Sequence, residues 1–250
     1  MKIFNIDEKI AFWGKSLVLI DKKLNKKTMV IGDVHIGFEE ALNKNGFLVP
    51  RTLFKEIYKD LEEALDSVKP DTIIIHGDLK HEFGRISKQE WRDTFKLIEL
   101  ITKKCKDIIL LRGNHDKILD PIVEKFKIKV QDDVLVGDVL IIHGNELLKE
   151  NNQNYEDCKT IVIGHEHPCI VLRDDHKYEK FKTFLVGTFD KKRLIVLPSF
   201  NPIDGVDITK EKLLSPFLKK NPNFKDFEVY ITADEIYAFG RIEDFMKNKN

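Results

Sequence analysis

Residues 27–35 read KTMVIGDVH, an apolar run that ends in a glycine and two side chains of metal-binding type. The β-branched and apolar residues at 27–31 predict a buried strand, and Asp33 and His35 follow it directly. The pattern recurs at two later places: DTIIIH (71–76) precedes Gly77 and Asp78, and DIILL (107–111) precedes RGNHD (112–116). Because ligands of open α/β sheets bind at the carboxyl ends of the strands, these polar residues are predicted to share one crevice.

Helical patterns separate these strands. Apolar residues recur at helical spacing within residues 53–68. Ser87 followed by Glu90 is a capping-box pattern, which predicts the start of a second helix. This helix carries Trp91, Phe95, Ile98 and Ile101, and the first three are predicted to form its buried face. Strands alternating with helices indicate an α/β first half.

Short strand patterns dominate the second half. Residues 134–136 and 139–142 flank Gly137-Asp138 and predict a hairpin. Further strands are predicted at 161–163, 170–172, 184–186, 194–197, 227–231 and 236–239. An α/β first half followed by a strand-rich second half predicts two packed sheets with helices outside. No repeat or low-complexity linker is visible, so residues 1–250 are predicted to form a single domain.

Composition restricts the function only weakly. The chain has 42 Lys and Arg and 42 Asp and Glu, so its net charge of zero neither favours nor excludes a nucleic-acid substrate. The three cysteines have no metal-binding spacing and predict reduced thiols. No apolar run approaches the roughly 18 residues of a membrane span, and the N-terminus lacks a signal-peptide core. We therefore expect a cytoplasmic protein.

Two further predicted strands end in histidines. His143 follows residues 139–142, and His165 and His167 follow residues 161–163. Five strand ends thus deliver Asp, Asn or His side chains to one region. This mixed set suits borderline divalent metals such as Mn, Fe or Zn. The absence of cysteine from it argues against a structural zinc site.

Five short blocks carry a family resemblance: GDVH (32–35), GDLKH (77–81), GNHD (113–116), HG (143–144) and GHEH (164–167). In this order they resemble the signature of calcineurin-like metallophosphoesterases. The resemblance implies a four-layer α/β/β/α sandwich of two mixed sheets, with motif blocks in 32–167 and a sheet-completing segment in 168–250. The stretches HIGFEEALNKNGFLVP (35–50) and LPSFNPIDGVD (197–207) are similar to the ligase-associated (PdeM-type) and archaeal SbcD-related members.

The resemblance also implies a dinuclear centre of two divalent metal ions, Mn²⁺ in the first place, with Fe or Zn as alternatives. The implied ligands of one metal are Asp33, His35, Asp78 and His167. Those of the other are Asp78, Asn114, His143 and His165. Asp78 would be the bridge, because one carboxylate can span two cations. Such a pair lowers the pKa of a bridging water and stabilises in-line displacement at phosphorus, so a metal-bridging hydroxide is the expected nucleophile.

The family pattern gives His115 a separate role, in which it contacts phosphate and protonates the departing oxygen, with Asp116 orienting it. Asn114 is also expected beside the substrate. His81, three residues after Asp78, could line the pocket and contact phosphate. Arg112 could touch the substrate, although an ion pair with a neighbouring acid explains it equally well.

These observations predict a dinuclear-metal phosphodiesterase, with DNA or nucleotide-derived diesters as substrates. A cyclic-nucleotide phosphodiesterase and a phosphomonoesterase are the alternatives within the enzyme class. A non-catalytic metal-binding scaffold in a repair complex is the alternative outside it. Association with DNA-repair proteins and a homodimer are further expectations, and a membrane is not an expected partner.

Overall fold

The computed structural model describes residues 1–82, 86–115, 120–148, 151–174, 177–210 and 212–247. Its strands are β1 (Phe4–Asn5), β2 (Ile10–Trp13), β3 (Ser16–Asp21), β4 (Lys26–Ile31), β5 (Thr72–His76), β6 (Asp107–Leu111), β7 (Lys129–Gln131), β8 (Asp133–Val136), β9 (Val139–Ile142), β10 (Thr160–Ile163), β11 (Pro168–Asp174), β12 (Lys177–Phe189), β13 (Lys192–Val196), β14 (Val206–Asp207), β15 (Glu228–Thr232) and β16 (Ile236–Arg241). Its α-helices are α1 (Phe38–Lys44), α2 (Leu53–Val68), α3 (Lys88–Lys104), α4 (Asp120–Phe126), α5 (Gln153–Asp157), α6 (Pro216–Lys219) and α7 (Ile242–Lys247). A 3₁₀ turn spans Phe224–Asp226.

The first sheet is mixed and follows chain order from β1 to β7. The pairs from β1 to β4 are antiparallel, while β4, β5, β6 and β7 are parallel. The carboxyl ends of β4, β5 and β6 therefore lie along one edge. This is where the sequence places its metal-binding side chains.

The second sheet is also mixed, in the order β14-β11-β12-β13-β10-β9-β8, with β15 and β16 joined to it through β12. Strands β9, β10 and β13 are parallel, so β9 and β10 end at a common edge. The predicted hairpin at 134–142 is present as the antiparallel pair β8 and β9. The edges of the two sheets that carry polar residues face each other.

Three apolar cores separate four layers. Period-two alternation along β4 sends Met29 and Ile31 towards α2 and α3, and Val30 towards the second sheet. Between the sheets, the rings of Phe12 and Phe184 stack with centroids 3.9 Å apart. A third core lies between the second sheet and the C-terminal helices α6 and α7. The predicted fold of two mixed sheets flanked by helices is thereby confirmed.

The second helix begins where its capping box predicts. Ser87 is the N-cap of α3, and its side chain accepts from the backbone N–H of Glu90. The Glu90 carboxylate accepts from the N–H of Ser87 and of Glu82. The prediction for its buried face was wrong for Trp91, which is 38% exposed. Ile98 is buried as predicted, together with Leu97 and Ile101, and Phe95 is half-buried. Among the described residues, no helix is long and apolar enough to cross a membrane.

Candidate metal centre

The strand ends bring the candidate ligands together from both sheets. From the first sheet, Asp33 and His35 follow β4, Asp78 follows β5, and Asn114 follows β6. From the second sheet, His143 follows β9, and His165 and His167 follow β10. A hydrogen bond from the His165 N–H to Asp33 Oδ2, 3.0 Å long, joins the two edges. The site therefore forms only when the two sheets pack together.

One group of possible metal ligands consists of Asp33, His35 and His167, all buried, with one ligand atom from each within 4.8 Å of the others. Nε2 of His167 lies 3.2 Å from Asp33 Oδ1 and 3.4 Å from Nε2 of His35. These three residues were assigned to the same metal from the sequence. The structure places them on one side of the cluster.

A second group consists of Asp78, His143 and His165. Nε2 of His143 lies 3.3 Å from Asp78 Oδ2 and 3.0 Å from Asn114 Oδ1. Asp78 Oδ2 is also 3.9 Å from Nε2 of His35, which belongs to the first group. Asp78 thus lies between the two groups, where a bridging carboxylate has to be.

The hydrogen bonds of the imidazoles show which atoms of the cluster are directed at a position that a cation could occupy. The Nδ1 of His143 lies 3.2 Å from the carbonyl oxygen of His76, which can only accept, so Nδ1 carries the proton. The Nε2 atom faces the oxygens of Asp78 and Asn114. Although burial opposes a charge on this ring, Asp78 and Asp33 raise the pKa of His143, so these oxygens draw a proton or a cation to this position. The carboxylate oxygen Asp33 Oδ1 is buried and accepts no hydrogen bond among the described residues. Cations would satisfy both groups of acceptors, so the residues fit two divalent metals.

The pKa shifts of the buried carboxylates and imidazoles also bear on metal binding. Burial opposes ionisation of Asp33, but the imidazoles of His167 and His143 outweigh it and hold its pKa well below the usual range. Burial, reinforced by His167, lowers the pKa of His35 to about 3, so this ring is neutral and can donate a lone pair. Burial also opposes a charge on His167, yet Asp33 and Asp204 raise its pKa to about 10. His167 therefore carries the positive charge that balances Asp33 and Asp204, and a metal ion bound at its Nε2 would take the place of that proton.

The backbone at these positions is strained. Asp33, His35, Asp78, His165 and His167 all adopt left-handed conformations, with φ between 46° and 62°. Each such residue costs roughly 1–3 kcal/mol, and residues of this kind cluster at functional sites. These strained residues lie at the sharp turns that direct the ligand side chains into the cluster.

The backbone at two glycines, Gly113 and Gly164, lies directly beside the carboxylates of Asp78 and Asp33. A Cβ atom at Gly113 would lie 2.1 Å from Asp78 Oδ1 and 2.3 Å from the backbone N of Asp78. A Cβ at Gly164 would lie 2.4 Å from Asp33 Oδ2. Both positions require glycine because the backbone of one strand end touches the carboxylate of another.

Gly113→Ala is therefore expected to displace Asp78 and to weaken metal binding about 10- to 100-fold, the usual effect of disturbing the support of a metal ligand. Metal affinity is measured by competition with a chromogenic chelator. Gly137→Ala, in the hairpin turn between β8 and β9, is the control: its φ of 63° makes the substitution cost about 1 kcal/mol of stability, but no atom lies within 4 Å of the added Cβ, so the metal affinity should be unchanged. Unaltered metal affinity in the Gly113 variant would contradict this account of the glycine.

His81 and His115 lie beside the first group. Together with His35 they form a third set whose ligand atoms are within 4.8 Å of one another. The Nδ1 of His115 donates to the backbone carbonyl of His81, which fixes the ring with Nε2 turned towards Asp78 Oδ2, 3.8 Å away. A backbone carbonyl thus orients this ring. Asp116, to which the sequence assigned that role, lies outside the described residues.

Arg112 is not brought into the cluster. Its side chain is 65% exposed, and its Nη1 lies 3.3 Å from Oδ1 of Asp132. Of the two explanations that the sequence allowed, this geometry favours the ion pair. Its contact with substrate stays a prediction.

Asp204 was missed by the sequence reasoning. Its Oδ2 accepts from Nδ1 of His167 at 2.6 Å, which leaves Nε2 of that ring free to face Asp33. A carboxylate on the far nitrogen of a metal-binding histidine fixes its tautomer and raises its basicity. The lysines Lys180 and Lys182 donate to the backbone carbonyls of Gly205 and Asp204, which holds the loop in place.

The segment 197–207 supports the first block in other ways as well. Ser199 Oγ donates to the carbonyl of Asp33 at 2.7 Å, and Asn201 Nδ2 donates to the carbonyl of Val34 at 3.1 Å. The segment had been noted only as a family-like stretch. Polar residues among its prolines and hydrophobics were the available signal, but no local pattern shows which loop they bind.

Asp204→Asn is expected to lower metal affinity about 10- to 100-fold while leaving the fold intact, because the amide keeps an acceptor but loses the charge that makes His167 a better ligand. Chelator competition and metal content after dialysis measure this effect. Asp234→Asn, in the exposed turn between β15 and β16, is the matched control. Equal metal affinities for the two variants would show that Asp204 does not strengthen metal binding by His167.

Glu166, within the GHEH block, points away from the cluster. Its carboxylate accepts from the N–H groups of Leu214 and Ser215, at 2.9 and 2.7 Å, and Ser215 Oγ donates to the carbonyl of Gly144 at 2.7 Å. Burial raises the pKa of Glu166 to about 7 despite these bonds. The chain before α6 therefore ties the loops of His143 and His165 to each other.

Comparison with known proteins agrees with this geometry. A family model described as calcineurin-like phosphoesterase matches residues 26–221. The search of curated proteins gave no match. The fold is similar to that of the Pseudomonas putida nuclease MPE, with a TM-score of 0.64 and 16% identity over 95% of this chain and 99% of that chain.

More distant similarities are to Vps29 from Chaetomium thermophilum (TM-score 0.40, 14% identity, 86% and 98% of the two chains) and to a predicted phosphoesterase from Streptococcus pneumoniae (0.33, 14%, 86% and 98%). The family match spans most of the chain and includes all five motif blocks. This chain belongs to the calcineurin-like phosphoesterase family.

Proposed function

We propose that the protein is a dinuclear-metal phosphodiesterase acting on DNA or nucleotide-derived diesters. The observation that carries the proposal is the position of Asp78 between two sets of ligand atoms, with His115 at the edge of the same cluster. Hydrolysis of a phosphoester needs charge neutralisation at phosphorus and an acid for the leaving oxygen. The cluster supplies residues for both.

The metal ligands that we propose are those of the two groups. One metal would be held by Asp33, His35 and His167, and the other by Asn114, His143 and His165, with Asp78 shared. When bound, the two cations supply Lewis acidity that activates water and neutralises the charge that develops on phosphate. Mn²⁺ is the first choice for the metals, with Fe or Zn as alternatives, because the donor set mixes imidazole with carboxylate and amide oxygens.

His115 is the proposed acid for the leaving group. Its Nδ1 proton is committed to the His81 carbonyl, so the proton that can be transferred is the one on Nε2, which faces the cluster. Donation of that proton to the departing oxygen avoids release of an unprotonated alkoxide. His81 lies against the same ring, with centroids 5.6 Å apart, and is proposed to contact phosphate.

The diester preference and the DNA substrate rest on the motif resemblance to PdeM-type and SbcD-related phosphoesterases. The neighbour from Pseudomonas putida is named a nuclease, but at 16% identity it supports only the fold. A cyclic-nucleotide phosphodiesterase is the second candidate, because its substrate is also a phosphodiester that the same cluster could hydrolyse.

The test is a substrate panel in Mn²⁺: single- and double-stranded DNA, 2′,3′- and 3′,5′-cyclic nucleotides, bis(p-nitrophenyl) phosphate and p-nitrophenyl phosphate. We expect hydrolysis of the diesters, with DNA among them. Cleavage of the monoester alone would overturn the diesterase assignment. Two bound metals with no hydrolysis of any substrate, across several divalent ions, would instead support the scaffold alternative.

A further inference from the structure

An open groove with a volume of 840 Å³ runs between α2 and α3 on the outer, helical side of the first sheet. Six cationic side chains line it: Arg51, Lys55, Lys88, Arg92, Lys96 and Lys103. Those on α3 recur at intervals of four and seven residues, which places them on one face of the helix. They extend along about 22 Å of its axis, at 1.5 Å per residue.

One end of the groove is the end nearer to the metal centre along the chain. Lys88 and Gln89 line this end, and the next residue, Glu90, accepts from the backbone N–H of Glu82 at 2.9 Å. Glu82 directly follows His81, and α1, which carries the groove residues Glu39 and Glu40, starts three residues after His35. A strand held in the groove would therefore leave it on the side of the cluster.

The groove carries an excess of positive charge. Arg92 pairs with Asp93 at 2.9 Å, and Lys103 pairs with Glu99 at 3.5 Å. In the described parts of the chain, no carboxylate lies within 4.0 Å of the other four cations, all of which are exposed. Because the net charge of the chain is zero, this excess is a local feature and not a property of the whole surface.

The carboxylates of Glu39 and Glu40, which also line the groove, already accept hydrogen bonds from groups within the protein. Glu39 is buried and accepts from Gln89 Nε2 and from the N–H of Leu53, both at 2.8 Å. Glu40 accepts from Ser87 Oγ at 2.9 Å and lies 3.6 Å from Nζ of Lys44. These contacts leave the unpaired cations as the groups that a ligand would meet.

Two aromatic rings lie among these cations. Phe54 and Tyr58, both half-buried on α2, line the groove with ring centroids 6.1 Å apart and an edge-to-face orientation. Cations beside exposed ring surface are the two elements by which proteins bind single-stranded nucleic acid without sequence preference. A duplex would offer the groove its phosphates, but its stacked bases could not use the rings.

We propose that the α2–α3 groove binds a single-stranded polynucleotide, whose continuation enters the metal centre. The four unpaired cations contact phosphates, and Tyr58 with Phe54 provides the surface on which bases stack. That the bound strand is the substrate of the metal centre rests on the proposed function. Binding of the strand to the groove can be tested without any turnover.

The experiment measures binding of a fluorescein-labelled oligo-dT to the full chain by fluorescence anisotropy, with a chelator present so that turnover does not interfere. The double variant Lys55→Glu/Lys96→Glu is expected to raise the Kd roughly tenfold or more, because binding of this kind is mainly electrostatic. The slope of log Kd against log salt should become shallower by about 1.4, since each single-strand phosphate contact contributes about 0.7. Turnover of bis(p-nitrophenyl) phosphate in Mn²⁺ should not change.

The matched control is Lys23→Glu/Lys26→Glu, an equal change of charge at two residues outside the groove, one in the turn between β3 and β4 and one at the start of β4. It should bind the oligonucleotide like the wild type. A third variant, Tyr58→Ala, should weaken binding of oligo-dT more than binding of an abasic strand of the same length. Equal weakening by the two charge-reversal variants, or no effect of the groove variant, would overturn the proposal. Tighter binding of polyglutamate than of the oligonucleotide would do so too, in favour of an acidic protein partner.

The outcomes for wild-type protein separate the two proposals. Hydrolysis of bis(p-nitrophenyl) phosphate without oligonucleotide binding would refute the groove proposal and leave the phosphodiesterase intact. Oligonucleotide binding that depends on the groove, without hydrolysis of any diester, would refute the proposed function and leave the groove intact.

Discussion

Asp78→Asn is expected to abolish phosphodiester hydrolysis and to reduce metal binding at both positions of the cluster together. Asp78 Oδ2 lies 3.3 Å from Nε2 of His143 and 3.9 Å from Nε2 of His35, so one carboxylate serves both ligand groups. An amide has no charge and a single oxygen, and it cannot replace a carboxylate between two cations. The measurement is metal content per chain by mass spectrometry after dialysis, beside turnover of a diester.

The fold should survive this substitution. Asp78 Oδ1 accepts from the His115 N–H at 2.9 Å, and the amide oxygen can accept the same bond. Circular dichroism checks the fold, and Asp66→Asn on the exposed side of α2 is the control for loss of one carboxylate. A variant at Asp78 that retains two metals per chain would show that this carboxylate is not shared.

His115→Ala is expected to keep both metals and to lose about 10²- to 10⁴-fold in turnover of DNA, the usual contribution of a general acid. The loss should depend on the leaving group. Bis(p-nitrophenyl) phosphate releases a nitrophenolate that needs little protonation, so its turnover should fall much less. The measurement is the ratio of the two turnover numbers, in variant and wild type, at saturating Mn²⁺.

His165→Ala is the contrasting variant, because His165 belongs to a ligand group and its removal should cost metal and both activities equally. If His115→Ala lowered both turnover numbers by the same factor, or lost metal as His165→Ala does, His115 would be a ligand or a structural residue and not the acid.

The sequence was sufficient for the parts of the site that follow from local pattern. The strand ends at Asp33, Asp78 and Asn114 were predicted because a buried strand and the sharp turn after it leave a signature within about ten residues of chain. The convergence of five such ends followed from the geometry of parallel strands. The capping box of α3 was likewise local, and it is present.

The remainder depends on contacts between distant segments. Ser199 bonds to the carbonyl of Asp33 across 166 residues, and Asp204 reaches His167 through a loop held by two lysines. No spacing rule connects such positions. The antiparallel strands β2 and β3 were also missed, since they are buried along most of their length and show no alternation between apolar and polar residues.

The positive φ values add a constraint that sequence does not reveal. Five candidate ligands occupy left-handed backbone conformations, and two glycines leave no space beside the carboxylates. Backbone strain and close packing thus coincide at the cluster. The rigid layers hold the strained turns in position.

Anomalous diffraction from crystals grown with Mn²⁺ shows directly whether two metals share Asp78. We expect two anomalous peaks about 3.5–4 Å apart, the usual separation in two-metal sites. One peak should be in contact with Asp33, His35 and His167, the other with Asn114, His143 and His165, and both with Asp78. A single peak, or two peaks of which only one contacts Asp78, would contradict this expectation.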